Sequence, residues 1–194
     1  MQGFVLTSGT ELINPFKLLE RVGIRRAWHV ADMGCGSTGH FVMPAAQLVG
    51  PDGVVYAVDI RRDFLEHIER LAKHDHFFNI KTVWADMDVY GATRIDPASL
   101  DLCLLINNLY LSQNRPALIR EMARLTKPGG RILVVEWKAT ATAIGPPSDR
   151  RLTSEQSQAI CQSPYMEMLD EVDVGHSHYG LLYERTETPV EGEA

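Results

Sequence analysis

The chain has 194 residues, 45% hydrophobic and 23% charged, which is enough for one well-filled core and too short for two full-sized domains. Its 25 acidic residues against 19 basic ones leave a formal charge of −6, a balance that disfavours broad binding to nucleic acid or to anionic membranes. No stretch approaches the roughly 20 apolar residues of a membrane helix. The N-terminus, Met1-Gln2-Gly3-Phe4-Val5, lacks a basic segment followed by an apolar one, so no secretory signal is read. Cys35, Cys103 and Cys161 lie far apart, match no metal spacing and leave an odd thiol; a reducing cytoplasm is the expected location.

In chain order, Asn14-Pro15 opens a helix as cap and first residue, Phe16, Leu18, Leu19 and Val22 give it an apolar face, and Gly23 stops it. Ala27 to Met33 is a predicted strand running into a glycine loop. Phe41 to Val49 is a buried helix, and Val54 to Val58 a second buried strand ending at Asp59. Phe64, Leu65, Ile68, Leu71 and Ala72 recur at helical spacing. Ile80 to Ala85 and Leu100 to Ile106 are the third and fourth strands. Pro116 to Leu125 is a helix ended by a tight turn at Lys127-Pro128-Gly129-Gly130, and Arg131 to Trp137 is the fifth strand. Residues 139–151 form a loop, Thr153 caps a short helix to Cys161, and Met168–Gly175 and Gly180–Arg185 form a closing antiparallel pair. The tail from Glu187 is expected to fray. Strands alternating with helices imply a doubly wound, mostly parallel α/β sheet with helices on both faces.

Gly34-Cys35-Gly36-Ser37-Thr38-Gly39 fits the G-x-G-x-x-G spacing between a strand and a helix, the context that gives that pattern meaning. Glycines let the backbone turn and approach a ligand, and the helix start behind them offers free N–H groups. Asp32, two residues before Gly34, would repel a pyrophosphate but suits the ammonium of an amino acid-bearing nucleoside. Asp59, 20 residues after Gly39, can accept both ribose hydroxyls; the alternative is that it caps the helix near Arg61. Asp86 can accept from an exocyclic adenine amine, with Met87 on the ring; the alternative is an ordinary turn aspartate. Three successive strands ending in an acid favour a ligand crevice.

These residues resemble the class I S-adenosylmethionine-dependent methyltransferases. Val30 to Gly39 is similar to that family's first motif, Val55 to Asp59 to its second, and Ala85-Asp86 to its adenine-side motif. Leu100 to Asn108 resembles its fourth strand, and Leu125 to Arg131 the turn into its fifth. The resemblance runs from about Asn14 to Arg185 and is nearest to small prokaryotic members distantly similar to quinone-biosynthesis C-methyltransferases. It implies a Rossmann-like seven-stranded sheet whose last strand is inserted antiparallel, in a single methyltransferase domain over residues 1–194. Residues 1–26 read as a helical lead-in, and residues 139–165, a loop and short helix, are expected to cover the site together with those before Asn14. The cofactor contacts expected are Asp32, Gly34, Cys35, Gly36, Gly39, Asp59, Ile60, Asp86, Met87 and Asn107, with S-adenosylhomocysteine as product.

Methyl transfer from a sulfonium is a displacement that positioning alone can accelerate, so the pattern fixes no catalytic residue. His176, His178 and Tyr110 are candidates, with His176, His178 and Tyr179 expected in the turn between the last two strands. Turn residues holding backbone groups are the simpler reading of both histidines. Arg150, Arg151 and Lys138 could bind an anionic acceptor or be a solvated surface. No metal site is expected, because no partner for the histidine pair is visible by spacing. The expected partner is a small-molecule methyl acceptor; oligomeric state, a homodimer included, is not fixed by the sequence. Two other classes stand beside this one: a nicotinamide-dependent oxidoreductase using the same glycine loop, and a non-catalytic S-adenosylmethionine-binding module. Nucleic-acid methylation is disfavoured by the charge and by Asn107-Asn108-Leu109-Tyr110, which lacks the prolines that DNA amino-methylating enzymes carry there.

Overall fold

The computed structural model describes residues 12–139 and 144–187. Seven strands form one sheet: β1 (His29–Met33), β2 (Val54–Asp59), β3 (Ile80–Trp84), β4 (Leu100–Ile106), β5 (Thr126–Trp137), β6 (Met166–Asp173) and β7 (His178–Arg185). Their spatial order is β3-β2-β1-β4-β5-β7-β6. The first five strands are parallel, and β7 lies antiparallel between β5 and β6. The expected Rossmann-like architecture with an inserted antiparallel last strand is what the chain adopts. Strand order reverses between β1 and β4, and a doubly wound sheet opens its ligand crevice at such a reversal.

The central strands alternate their side chains between two cores, as period-2 geometry requires. Val30, Leu102, Leu104 and Ile106 face α1 (Pro15–Arg21), α2 (Val42–Val49) and α3 (Arg62–His74). Ala31, Met33, Cys103 and Leu105 face α4 (Arg115–Leu125) and α5 (Ser154–Cys161). Every residue of β4 is buried, which explains why its sequence is an unbroken apolar run apart from Asp101. Asp101 is accommodated by accepting from His29 N at 2.9 Å and pairing with Lys127.

Local chemistry sets the element ends. Asn14 accepts from Lys17 N at 3.0 Å and Pro15 begins α1, and Arg131 donates to the Val22 carbonyl just past its end. Thr153 and Gln156 form a reciprocal capping box on α5. Three expectations need correction. The first strand begins at His29, not Ala27, because Ala27 has φ 62° and donates its N–H to Val49 O. The turn at Lys127-Pro128-Gly129-Gly130 does not precede β5. It lies within β5 as a bulge between the Leu100–Thr126 and Leu102–Arg131 pairs, and α4 passes directly into the strand at Thr126. His178 and Tyr179 are not turn residues. They are the first residues of β7, paired with Trp137 and Glu136 along the full end of β5. Within the expected loop, Ser148–Arg150 form one 3-10 turn. No described helix is long and apolar enough to cross a membrane. The fraying expected from Glu187 onward falls almost wholly outside the described residues, as do residues 1–11 of the lead-in.

Candidate active site

The glycine loop leaves β1 under three constraints. Gly34 N and Cys35 N both donate to Val58 O, at 2.8 and 3.0 Å, and Gly36 N donates to Asp59 Oδ2 at 3.0 Å. Asp59 Oδ1 accepts from Arg61 N at 2.9 Å, so the aspartate also organises the entry to α3, whose cap residue Arg61 makes no side-chain cap bond. The helix-entry reading of Asp59 is therefore what these bonds show, and they leave lone pairs on both carboxylate oxygens.

Gly34 and Gly36 are needed for different reasons. Gly34 has φ +79°, and a Cβ there would lie 2.5 Å from the Asn108 amide. Asn108 Nδ2 occupies that space because it donates to Gly34 O at 2.9 Å and Ile106 O at 2.8 Å, bracing the loop against the end of β4. Gly36 has φ +65°, but a Cβ there would meet nothing within 4 Å. The space beside Gly36 is open groove.

Two cavities meet at this brace, sharing Gly34 and Asn108. One, of about 230 Å³, is lined by Asp59, Ile60, Asp86 and Met87, with Ala85, Leu111 and Ser112 around them. The other, of about 300 Å³, is lined by residues 34–38, Asn107, Tyr110, Trp137, Gly145 and Pro146. The sequence-predicted residues thus divide. Ile60, Asp59, Asp86 and Met87 gather in the first cavity, Cys35, Gly36, Asn107 and Tyr110 in the second, and Gly34 in both. Gly39 packs against Ile68 and lines neither. Asp86 Oδ1 accepts from Asp88 N, and Asp88 in turn takes Ser112 Oγ at 2.6 Å and Gln113 N at 2.7 Å, tying the loop after β3 to the start of α4. The sequence reading missed Asp88; an acid two residues beyond Asp86 was the available signal.

Asp32 is buried beneath the loop, and no donor among the described residues reaches its carboxylate. Burial, reinforced by the nearby Asp59 charge, pushes its pKa up to about 7. A buried carboxylate of that kind is stabilised by an approaching cation. Cys35 lines the second cavity, but burial pushes its thiol far above the ordinary range, so it offers no thiolate.

On the other side, Asn107 has φ +57° and donates its N–H to Val135 O at 2.8 Å. Its side-chain amide meets His178 Nε2 at 3.1 Å, and its Oδ1 is buried without a protein partner. His178 is fully buried with its ring centroid 4.1 Å from that of Trp137. Burial, then the charges of Arg151 and Lys138, hold its pKa down to about 4, so the ring is neutral at pH 7. His176 is exposed in the β6–β7 turn and lines neither cavity. Glu136 is buried with Oε1 accepting from Tyr110 N at 3.2 Å; burial outweighs that bond and raises its pKa to about 7. Burial and then Glu136 raise the Tyr110 phenol as well. Tyr179 does not face the groove: its hydroxyl meets Ser157 Oγ at 2.7 Å and Thr153 O at 3.0 Å, locking α5 to β7.

Arg151 and Lys138 are not the free cations the sequence allowed. Arg151 is 8% exposed and donates to the carbonyls of Pro146, Lys138 and Ile144. It holds the segment carrying Gly145 and Pro146 against Trp137. Lys138 Nζ donates to Gly175 O at 2.7 Å. Residues 140–143, within the expected cover, lie outside the described residues.

The chain is similar to known proteins in sequence and in fold. A methyltransferase domain model matches residues 24–185. The ubiquinone/menaquinone biosynthesis C-methyltransferase of Hahella chejuensis is 30% identical over 127 residues, 65% of this chain and 49% of that protein. Nocamycin O-methyltransferase of Saccharothrix syringae is 30% identical over 135 residues, 68% of this chain and 46% of that protein. The chain spans about half the length of the curated relatives it matches. A crystal structure of a SAM-dependent methyltransferase from Aquifex aeolicus superposes with a TM-score of 0.84 at 19% identity, covering 93% of this chain and 94% of that one. The strand order, the glycine loop and this match over most of the sequence lead to one conclusion: the chain belongs to the class I S-adenosylmethionine-dependent methyltransferase family.

Proposed function

We propose that the chain transfers the methyl group of S-adenosylmethionine to a small-molecule acceptor by direct in-line displacement. The observation that carries the reading is the pair of cavities joined at Gly34 and Asn108, one edged with acids and the other with a polar, aromatic wall. The residues fit the cofactor. Asp59 has the acceptor capacity for ribose hydroxyls, Asp86 and Met87 flank the space suited to adenine, and the open face of Gly36 admits a ligand a Cβ would obstruct. Asp32 supplies negative charge beneath the loop for an ammonium, and the orphaned Asn107 Oδ1 is an unsatisfied acceptor beside the second cavity. When bound, the cofactor supplies an electrophilic methyl on a sulfonium with a neutral thioether as leaving group.

What the chain's own groups contribute is positioning. No carboxylate or imidazole lines the second cavity among the described residues. Its wall is Asn107, Tyr110, Trp137, Gly145 and Pro146, suited to orienting an acceptor that is already nucleophilic. Gly145 and Pro146 form one side of that wall, which supports a covering role for the segment that carries them.

Calorimetric titration with S-adenosylhomocysteine and with NAD tests the reading. Binding of S-adenosylhomocysteine and weak or absent binding of NAD is the expected result; the reverse would establish the oxidoreductase alternative. Asp59→Ala should weaken S-adenosylhomocysteine by about 1–3 kcal/mol, the scale of hydrogen-bonding groups left unpaired. Undiminished affinity in the folded variant would remove Asp59 from the site. Turnover of a labelled methyl group by a purified acceptor panel separates an enzyme from a binding module.

A further inference from the structure

A third cavity, of about 650 Å³, opens beside the proposed acceptor space, and Tyr110 lines both. Its wall includes Gln113, Arg115, Arg150, Arg151 and Gln156. The lining carries three guanidiniums against one carboxylate, Asp149, in a chain whose net charge is −6. Such local inversion of charge is the usual footprint of an anion.

The three arginines are not equivalent. Arg151 spends its donors on the carbonyls that fix the wall. Arg115 donates Nε to Leu109 O at 3.1 Å and Nη2 to Tyr110 O at 3.5 Å, which leaves Nη1 without a protein acceptor among the described residues. Arg150 makes no side-chain hydrogen bond or ion pair among the described residues; its guanidinium lies 5.6 Å from the centre of the Tyr110 ring. That contact holds the guanidinium over the ring that separates the two cavities while leaving its donor edge open.

We infer that this outer cavity is an anion subsite of the methyl acceptor, in which Arg150, helped by Arg115, takes a carboxylate or phosphate while the reacting atom lies beyond Tyr110 in the Trp137-walled space. The inference rests on the methyl-transfer reading for its purpose, but the anion site can be measured without it. Guanidinium geometry matches the two oxygens of either anion, and Gln113 and Gln156 supply neutral donors around it. A neutral acceptor would leave an open arginine edge facing it with nothing gained.

The test uses the full chain and the side-chain N–H resonances of its arginines. Sodium benzoate, inorganic phosphate and neutral benzamide are titrated separately at constant ionic strength set with chloride. A saturable shift of the Arg150 signal with benzoate identifies a carboxylate site, and one with phosphate a phosphate site; benzamide should produce neither. Arg150→Gln, an exposed change outside the core, should weaken the effective anion by roughly tenfold or more. No saturable shift with either anion, or equal anion affinity in folded Arg150→Gln, overturns the inference. Calorimetry with S-adenosylhomocysteine on the same samples is read separately. Loss of that binding would defeat the methyl-transfer reading and leave the anion result standing.

Discussion

The two sides of the groove are built differently. On the proposed cofactor side, each polar group comes from the end of one neighbouring parallel strand: the glycine loop after β1, Asp59 at the end of β2, Asp86 after β3 and Asn108 after β4. Each is set by turn contacts within a few residues or by the adjacent strand, such as Gly36 N to Asp59 and Asp88 N to Asp86. On the proposed acceptor side, Tyr110, Trp137, Gly145 and Pro146 come from separate parts of the chain, and His178 buttresses them from β7. A Cβ at Gly145 would lie 2.8 Å from the Trp137 ring, so an irregular segment packs directly on the end of β5. The cofactor side is a consequence of parallel-sheet geometry; the acceptor side depends on how one loop seats against one tryptophan. Specificity can change on the second side without disturbing the first.

The largest effect expected on the cofactor side comes from Gly34. Gly34→Ala forces a side chain into left-handed backbone and onto Asn108, and should cost about 3 kcal/mol of stability. Gly36→Ala carries the backbone cost of about 1–2 kcal/mol but no clash. Its Cβ enters the groove instead, so its loss of S-adenosylhomocysteine affinity should exceed its loss of stability. Denaturant unfolding beside calorimetry separates the two. Equal behaviour of the two variants would show that the open face of Gly36 is not ligand space.

Asp32 gives the next effect, and it carries a sign. Its folded pKa of about 7 lies above the ordinary aspartate value of 3.8, so the folded state holds a proton that the unfolded chain has lost between those values. Ionising it therefore costs stability progressively as pH rises from about 4 to about 7. Asp32→Asn should be more stable than the parent at pH 8, with the difference vanishing below about pH 4. A bound ammonium favours the ionised form, so parental affinity for S-adenosylhomocysteine should tighten as pH rises through about 7. The asparagine variant should bind roughly tenfold more weakly at pH 8, with that pH dependence lost. An asparagine variant that binds as well as the parent would place the ammonium elsewhere.

The same contrast explains what the sequence made legible. Period-2 burial and capping residues such as Asn14 and Thr153 are short-range signals, and the elements they mark formed where expected. Strand ends were harder to place. Ala27 stays outside the strand with a positive φ because its N–H goes to Val49 O at the end of α2, and Lys127 to Gly130 bulge within β5 because β4 sets the register there. Asp59 and Asp86 could be placed beside the candidate groove because the ends of parallel strands line it. Arg151 could not be distinguished from Arg150, because adjacent positions carry no record that one guanidinium turns inward to three carbonyls and the other outward over Tyr110. His178 was misplaced for the same reason. Only its pairing with Trp137 across the sheet shows it to be strand, and only its burial makes it neutral.

His178 provides the finest discrimination on the acceptor side. A catalytic base would show a pH–rate limb near its pKa, and its removal would lower the rate by roughly 10²–10⁴. A pKa held down to about 4 puts any such limb far below neutrality, and the ring contacts Asn107 rather than lining the cavity. Its expected role is to fix the Asn107 amide, so His178→Gln should lower turnover by only about tenfold or less and leave the shape of the profile between pH 6 and 8 unchanged. Stability offers a second reading. The folded state resists protonation that the unfolded chain accepts below the ordinary histidine value of 6.5, so this group's contribution is full above that pH and falls as the pH drops toward about 4. Asp32 acts with the opposite sign over much of the same window, so the informative quantity is variant minus parent at each pH. For His178→Gln that difference should grow in the variant's favour from pH 6.5 down to about 4. A flat difference would mean that His178 is not held neutral by burial, and the case against a base at this position would have to be reopened.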